Sequence, residues 1–310
     1  MTQPRIGFAG LGHMGAPMAA RVAAHGFPLT VWNRTAGRTG PLTAQGASAA
    51  ATLRELAAGS DVVITMLSDG AAAAEVWTGP GGLLESCGPG TIGIDMSTIG
   101  PRAARDIAAR AERAGVRFLD APVSGSVALA EQGKLTAMVG GEDGALAGAL
   151  PVLRTMTARQ LHLGPPGAGA AMKLAVNIMI AATNQAVAES LALAAETGID
   201  LAGAYEVLTV SAVASPFLQY KRDAYLAADD APVSFSTSLM SKDLRLALDI
   251  ADQAGLPLTL TAAARESLER ACAAGLGDAD FASVARLLRR AEFYRLRRAA
   301  PGGDSHQNDH

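Results

Sequence analysis

Lys173 and Asn177 lie four residues apart and carry side chains that can act on a carbonyl or hydroxyl oxygen. The segment 170–180 is apolar and has no other charged residue, and in a helix this spacing puts both side chains on one face. Burial there would lower the pKa of the amine, and an amine tuned in this way can give a proton to an oxygen and take it back. Gly169, one turn earlier, is expected to leave room for a ligand. A lysine that reaches water from the helix start explains the spacing equally well.

The turn Ser124-Gly125-Ser126 offers hydroxyl groups and exposed backbone N–H groups soon after a predicted strand. A turn of this kind suits a substrate carboxylate, because its donors can converge on one anion. An ordinary polar loop is the alternative interpretation.

A glycine-rich turn separates a predicted strand at residues 5–9 from a predicted helix at 16–25. In a Gly-x-Gly-x-x-Gly turn the first glycine permits the tight bend, the second lets the backbone approach a pyrophosphate, and the third lets helix and strand pack closely. The N-terminus of the helix then attracts the phosphate charge. We therefore expect cofactor contacts from Gly10, Leu11, Gly12, His13, Met14 and Gly15. A tight turn without a ligand is the alternative.

The end of the second predicted strand indicates which nicotinamide cofactor is bound. NAD-dependent enzymes usually carry an acid here that holds the ribose 2′-hydroxyl group. This chain continues Asn33-Arg34-Thr35 and has no acid before Glu55. An arginine beside amide and hydroxyl groups can bind a 2′-phosphate, and Arg38 can assist it. We expect NADP(H) to be preferred and NAD(H) to be possible.

The elements that position these residues alternate between strands and helices in the first half of the chain. Apolar strands are predicted at 29–32, 61–67 and 91–96, with further strands at 118–121 and 135–139 and helices such as 101–114 between them. This alternation predicts a doubly wound, mostly parallel α/β sheet of the Rossmann type. Met66, Leu67, Ser68 and Thr98 then lie at carboxyl ends of strands, where such sheets bind ligands.

The pattern becomes entirely helical after the breaker cluster 164–169. One long helix is predicted over 166–197, and shorter helices follow at 201–211, 216–228, 239–254, 257–274 and 279–298. We predict a cofactor-binding domain at 1–165, an all-α domain at 166–298 that the long helix joins to it, and a disordered tail at 299–310.

The composition argues against several kinds of partner and site. The formal net charge is −3 and no strongly basic block occurs before 289–298, so nucleic acid is not expected as a partner. Cys87 and Cys272 have no metal-type spacing, and we expect free thiols and no metal site.

No membrane association is expected either. The longest apolar stretch, 174–195, is interrupted by polar residues such as Asn177 and Asn184, so no uninterrupted run reaches the length of a membrane span. The N-terminus enters a strand pattern at once and shows no signal peptide. We expect a cytoplasmic protein.

Four motifs in order along the chain resemble those of the β-hydroxyacid dehydrogenase family. They are Gly-Leu-Gly-His-Met-Gly-Ala-Pro-Met-Ala at 10–19, Asp-Ala-Pro-Val-Ser-Gly-Ser at 120–126, Gly-Ala-Gly-Ala-Ala-Met-Lys-Leu-Ala-Val-Asn at 167–177 and Phe-Ser-Thr-Ser-Leu-Met-Ser-Lys-Asp-Leu at 235–244. The resemblance extends from Ile6 to about Leu288. It implies a Rossmann domain, a long interdomain helix and an α-helical C-terminal domain. It also implies NAD(P)-dependent chemistry on the CH–OH group of a small β-hydroxyacid or on its semialdehyde, as in 3-hydroxyisobutyrate dehydrogenase and glyoxylate/succinic semialdehyde reductase.

The resemblance also implies roles for single residues. Lys173 matches the family's catalytic lysine, and Asn177 would orient this lysine and the substrate. The turn 124–126 matches the segment that binds the substrate carboxylate. Lys242, which by its spacing alone would be half of a surface charge pair with Asp243, matches a lysine that reaches the cofactor.

Two departures from the family pattern indicate a less polar substrate or one with a single carboxylate. The loop continues with the apolar residues 127–130, and the segment 211–217 contains no arginine. An imine reductase is the nearest alternative, although those enzymes generally have Asp or Tyr in place of Lys173, and a cationic lysine would repel an iminium. A non-catalytic binding module is the other alternative, although such relatives lose the lysine.

We expect a small-molecule substrate and a homodimer or homotetramer. The apolar helices 170–197 and 239–274 have more hydrophobic surface than one small α domain can bury.

Overall fold

The computed structural model describes residues 3–226 and 233–288. They form two compact units, which divide between Ala175 and Val176. The domain boundary expected at residue 165 stays a prediction, and the tail expected to be disordered lies outside the described residues.

The first unit contains a nine-stranded sheet in its described residues. Its strands, in chain order, are β1 (Ile6–Ala9), β2 (Leu29–Trp32), β3 (Ser48–Ala49), β4 (Val62–Thr65), β5 (Ile92–Asp95), β6 (Arg117–Asp120), β7 (Val123–Ser124), β8 (Leu135–Gly141) and β9 (Thr157–Gly164). The spatial order is β3-β2-β1-β4-β5-β6-β8-β7, and β9 pairs with β8. The first six strands in this order are parallel, whereas β8 runs antiparallel to β6 and β7. This order is typical of dinucleotide-binding Rossmann sheets.

Helices cover both faces of this sheet. They are α1 (Gly15–Ala24), α2 (Gly40–Thr43), α3 (Leu53–Ala58), α4 (Gly70–Thr78), α5 (Pro101–Arg113), α6 (Val127–Glu131) and α7 (Asp143–Met156). Successive residues of a strand point to opposite faces. Val62 and Ile64 pack in one hydrophobic cluster, and Val63 packs in the other. A strand that is buried on both faces is apolar along nearly its whole length, which is why β1, β4 and β5 were predicted from the sequence.

Three strands of the sheet were not predicted. β3 and β7 contain two residues each. β9 is mostly exposed and reads Thr-Ala-Arg-Gln-Leu-His-Leu-Gly, so it lacks the apolar run of a buried strand. The tertiary structure places it at the edge of the sheet, where polar residues are tolerated.

The second unit consists of helices in its described residues. The long helix α8 (Ala168–Glu196) runs into it from the first unit, and α9 (Leu201–Val210), α10 (Pro216–Leu226), α11 (Thr237–Ala254), α12 (Thr259–Ala271) and α13 (Val284–Leu287) follow. Tyr205, Tyr225, Leu244 and Phe281 lie in its hydrophobic core. The single helix predicted over 279–298 is wrong in its described part. A short 3₁₀ turn occupies Phe281–Ser283 before α13, because the Asp280 carboxylate accepts the Ala282 N–H.

Helix α8 meets the length and hydropathy criteria of a membrane span, with a mean hydropathy of 1.3 over its best window. The sequence analysis dismissed this stretch because polar residues interrupt it, but those few residues do not lower its average hydropathy enough to fail the criteria. Those polar residues bond inside the second unit. Asn184 donates to the Phe281 carbonyl and accepts from the Tyr225 hydroxyl group, as in a helix of a helical core.

Candidate functional site

The carboxyl ends of five parallel strands form one row at the edge of the sheet. The last residues of β2, β1, β4, β5 and β6 are in register, and they are Trp32, Ala9, Thr65, Asp95 and Asp120. The first-unit candidate residues that precede α8 lie in the segments that directly follow these strands, with Gly15 at the start of α1 and Ser124 on β7. The sheet therefore brings together the glycine-rich turn, the segment 33–35, the loops after β4 and β5, and the turn 124–126.

The glycine-rich turn has two glycines that the fold itself requires and one that is open. A Cβ on Gly10 would lie 2.2 Å from the Met66 carbonyl oxygen, and one on Gly15 would lie 1.9 Å from the Gly10 carbonyl oxygen. Nothing lies within 4 Å of the corresponding position at Gly12, so the backbone there is open to a close approach. Helix α1 begins without a side-chain cap or an acid in its first turn. An uncapped helix N-terminus beside an open glycine backbone fits a pyrophosphate.

Asn33 and Arg38 hold this turn against the end of β2. The Leu11 N–H donates to Asn33 Oδ1 at 2.8 Å, and Asn33 Nδ2 donates to the Thr35 carbonyl at 3.0 Å. Arg38 donates to the Leu11 carbonyl at 3.4 Å. Arg34 and Thr35 are exposed at the same edge. Asn33 thus shapes the turn, and Arg34 is accessible to a ligand phosphate. Of the remaining turn residues, His13 is exposed and Met14 is half-buried.

The loops after β4 and β5 share a buried polar network. The Leu67 N–H donates to Ser97 Oγ at 2.8 Å, and Ser97 in turn donates to Asp95 from its N–H and its hydroxyl group. Met66 and Thr98 are half-buried beside this network, and Ser68 is exposed.

The turn 124–126 starts on β7, where Ser124 pairs with Thr136 of β8. Gly125 has φ +140°, and a Cβ there would lie 2.6 Å from the Leu135 side chain. Ser126 caps α6 by accepting the Leu129 N–H at 3.4 Å. The turn is therefore tight, and Ser124 and Ser126 are half-buried on either side of an exposed glycine.

Lys173 lies in α8, one turn beyond Ala170, and is half-buried. The expectation that Gly169 leaves room for a ligand is wrong. A Cβ at Gly169 would lie 2.2 Å from the Met138 carbonyl oxygen and 2.6 Å from that of Asp120, so this glycine lets α8 pack directly on the sheet.

Asn177 and Lys242 share one carboxylate in the second unit. Asn177 donates to Asp243 Oδ2 at 2.6 Å, and the Lys242 amine lies 3.0 Å from Asp243 Oδ1. The Asp243 side chain is fully buried and that of Lys242 is 16% exposed. The surface pair that the spacing alone suggested is therefore wrong, and Asp243 joins two candidate residues.

No group of three or more metal-binding side chains occurs in the described residues. The sequence interpretation gave no role to three buried carboxylates, Asp95 and Asp120 in the first unit and Asp243 in the second. Their positions at strand ends or beside Lys242 were visible in the sequence, but their partners were not.

Two family models together match most of the chain. Residues 5–164 match the NAD-binding domain of 6-phosphogluconate dehydrogenase, and residues 167–288 match the NAD-binding region of NADP-dependent 3-hydroxyisobutyrate dehydrogenase.

Individual relatives align over almost their whole length. The chain is 34% identical to 2-(hydroxymethyl)glutarate dehydrogenase of Eubacterium barkeri, over 90% of this chain and 93% of that protein. It is also 34% identical to glyoxylate/succinic semialdehyde reductase 1 of Arabidopsis thaliana, over 90% and 96%. The solved 3-hydroxyisobutyrate dehydrogenase of Mycobacterium tuberculosis with L-serine is 34% identical, with a TM-score of 0.83 over 93% of this chain and 100% of that one. An imine reductase from Pseudomonas sp. is more distant, at 23% identity and a TM-score of 0.62, which is a likeness of fold.

Proposed function

Since the chain belongs to the β-hydroxyacid dehydrogenase family, whose members act with NAD(P) on the hydroxyl group of hydroxyacids, we propose that it moves a hydride between NADP(H) and a small β-hydroxyacid or its semialdehyde. The observation that carries this proposal is the buried Asp120. It ends the strand that leads into the turn 124–126, and it accepts two N–H groups at the start of the helix that contains Lys173.

The first unit fits a dinucleotide. The open backbone at Gly12 and the uncapped start of α1 suit the pyrophosphate, and Met66, Leu67, Ser68 and Thr98 would line the neighbouring edge of the sheet. The exposed guanidinium of Arg34, with no acid nearby in the sequence, favours a 2′-phosphate and therefore NADP(H). When bound, the nicotinamide supplies or accepts the hydride.

Lys173 is proposed as the general acid and base. In reduction its ammonium group gives a proton to the carbonyl oxygen, and in oxidation its amine takes the hydroxyl proton. Ser124, Gly125 and Ser126 bind the substrate carboxylate with hydroxyl and N–H groups, which orients the substrate carbon that carries the oxygen. A proton donor in hydrogen-bond reach contributes roughly 10²–10⁴ in rate.

Asn177 follows Lys173 by about one helical turn on α8. Because its amide nitrogen donates to Asp243, its oxygen is directed away from that carboxylate and can accept a hydrogen bond from the lysine or from a substrate hydroxyl group. The same carboxylate holds the Lys242 amine, which is proposed to bind the cofactor.

The surroundings of the carboxylate-binding turn favour a substrate with one carboxylate. Helix α6 follows Ser126 directly and begins with Val127 and Ala128, and Leu129 is 37% exposed beside Gly125. An apolar wall at this place stabilises an uncharged substituent and gives no partner to a second carboxylate.

An imine reductase remains the second candidate, and a non-catalytic binding module the third. The relation to the solved imine reductases is one of fold, and Lys173 is ill suited to an iminium ion because both are cationic. A binding module would not need Lys173, Asn177 and the turn 124–126 together.

The decisive experiment measures the loss of NADPH absorbance with the purified protein and panels of semialdehydes and imines. We expect turnover of a semialdehyde with one carboxylate. Lys173→Ala should lower turnover by roughly 10²–10⁴ while NADPH binding stays nearly intact. Lys173→Arg should not restore turnover, because a guanidinium group keeps its proton near neutral pH.

Lys134→Ala is the matched control, since Lys134 is exposed in the loop before β8. Turnover of Lys173→Ala within a few-fold of the parent would contradict the proposed acid–base role, and turnover of imines alone would favour the second candidate.

We also propose that the protein acts as a homodimer or homotetramer. The second unit exposes large apolar side chains, among them Met179, Leu193, Val207 and Val210, each more than 60% exposed. Surfaces of this kind mark protein interfaces. Static light scattering on the same preparation would give the number of subunits.

A further inference from the structure

Two buried carboxylates lie side by side at the candidate site, and neither is a candidate catalytic or cofactor-binding residue. Asp95 ends β5 and Asp120 ends β6, and the two residues are paired in the sheet register. Asp95 is fully buried and Asp120 is 1% exposed. Burial raises the pKa of each carboxyl group, and the charge of Asp95 raises the pKa of Asp120 further. Burying two neighbouring carboxyl groups costs free energy, which hydrogen bonds to their oxygens must offset. The donors of those hydrogen bonds therefore identify the segments that each acid holds in place.

The partners of Asp95 lie on β4, in α4 and in the loop after β5. Its Oδ2 accepts from the Thr65 hydroxyl group at 2.6 Å and from Trp77 Nε1 at 3.4 Å, and its Oδ1 accepts the Ser97 N–H at 2.9 Å. Ser97 Oγ then accepts the Leu67 N–H. Asp95 thereby fixes the loops that follow β4 and β5.

The partners of Asp120 all lie at the start of α8. Its Oδ1 accepts the Gly167 N–H and its Oδ2 accepts the Ala170 N–H, each at 2.7 Å. Gly169 and Gly140 leave no space for a side chain at this joint, since a Cβ on Gly140 would lie 2.5 Å from Asp120 Oδ1. Asp120 thus fixes the first turn of α8 to the strand that continues into the turn 124–126.

We propose that these two acids are positioning residues with separate tasks, Asp95 for the cofactor loops and Asp120 for the placement of Lys173 relative to Ser124. This inference rests on the proposed function. No hydrogen bond of the side chain of one acid reaches the partners of the other in the described residues, so the two tasks can be separated by mutation.

Asp95→Asn and Asp120→Asn keep the shape of each side chain but turn an acceptor into a donor. In Asp120→Asn the amide NH₂ group must face the N–H of Gly167 or of Ala170, which loosens the start of α8. In Asp95→Asn it must face either the Ser97 N–H or the Trp77 Nε1–H, neither of which can accept a hydrogen bond, and this loosens the loop that contains Leu67.

The experiment measures two quantities for each variant: the dissociation constant of NADPH from nicotinamide fluorescence without substrate, and kcat at saturating NADPH. An unpaired buried polar group has a free-energy cost that corresponds to a factor of about ten or more in a binding or rate constant. Asp95→Asn should therefore raise the dissociation constant of NADPH about tenfold with kcat nearly unchanged. Asp120→Asn should lower kcat about tenfold and leave NADPH binding nearly unchanged. Asp61→Asn, at the opposite end of β4, is the control and should change neither quantity.

A second pair of variants tests the same two tasks if either acid variant does not fold. Ser97→Ala removes the acceptor of the Leu67 N–H without changing a strand residue and should weaken NADPH binding. Gly169→Ala pushes against the Met138 carbonyl and should lower kcat.

If both acids changed the same quantity to a similar degree, or if neither changed its own, the separation of tasks would be wrong. A parent protein that bound no NADPH and turned over no substrate would instead contradict the proposed function.

Discussion

Lys221 and Asp280 form a buried ion pair whose disruption gives a stringent test of the second unit. The Lys221 amine lies 2.6 Å from both Asp280 oxygens and from Ser234 Oγ, and 4.1 Å from the centre of the Phe281 ring. The side chains of Lys221 and Asp280 are 2% and 8% exposed. The pair joins α10 to the segment before α11 and to the turn before α13.

The two single variants should differ in cost. Removal of one partner of a buried pair costs about 3–5 kcal/mol, because the other charge stays buried. In Lys221→Met, Asp280 keeps the N–H groups of Ser234, Phe235 and Ala282, so we expect a loss of about 3 kcal/mol. In Asp280→Asn the ammonium group loses its counter-ion and keeps one hydroxyl group, one neutral amide oxygen and a ring face, so we expect a loss of about 5 kcal/mol.

Urea unfolding followed by two signals can show that the loss of unfolding free energy belongs to the second unit. Trp32 and Trp77, the two tryptophans of the chain, lie in the first unit, so their fluorescence follows that unit. Far-ultraviolet circular dichroism includes the helices of the second unit. We expect Lys221→Met to shift the dichroism transition to lower urea and to move the fluorescence transition less.

The double variant Lys221→Met/Asp280→Asn should cost less than the sum of the two single changes, since it leaves no unpaired buried charge. The reasoning would be refuted if Lys221→Met cost less than about 1 kcal/mol, the usual value of a surface pair, or if the two single losses simply added.

Two further predictions concern the first unit. Arg34→Asp should weaken NADPH binding much more than NADH binding, because a carboxylate repels the 2′-phosphate and can accept from a ribose hydroxyl group; fluorescence titration of both cofactors checks this, and an equal loss for the two would contradict the assignment of Arg34. Burial raises the pKa of Cys87 from 9.0 to about 11, so at pH 8 its thiolate fraction is lower by a factor of about 100. In a Cys272→Ser background, iodoacetamide should react with the folded protein at least about 100-fold more slowly than with the same protein in urea, and similar rates in the two states would show that the Cys87 thiol is accessible and unperturbed.

Local patterns were enough to predict the class of fold and most of the candidate residues. The buried strands β1, β4 and β5 are apolar up to their last residue, and the turn with Gly10, Gly12 and Gly15 follows the first of them. These features depend on neighbours in the chain, and one sequence shows them directly. Strand β9 was missed because an exposed edge strand lacks the apolar run by which the others were found.

The candidate site was predictable only in part. The positions of Ser124 and Lys173 came from motifs, whereas the role of Gly169 was misjudged because its neighbour is the carbonyl of Met138 on another strand. The interpretation of Lys242 and Asp243 as a surface pair failed for the same reason, since Asn177 lies 66 residues from Asp243 along the chain.

The sequence by itself determined the alternation of strands and helices, the glycine-rich turn, the absence of an acid beside Arg34 and the family to which the motifs point. Only the tertiary structure decided that Asp95 and Asp120 lie side by side, that Asp120 accepts N–H groups 47 and 50 residues away, and that Asp243 joins Asn177 to Lys242. The physical reason is the range of the interactions. Helix and strand periodicity arises from neighbours along the chain, whereas a buried carboxylate is stabilised by whichever donors the packed elements bring to it.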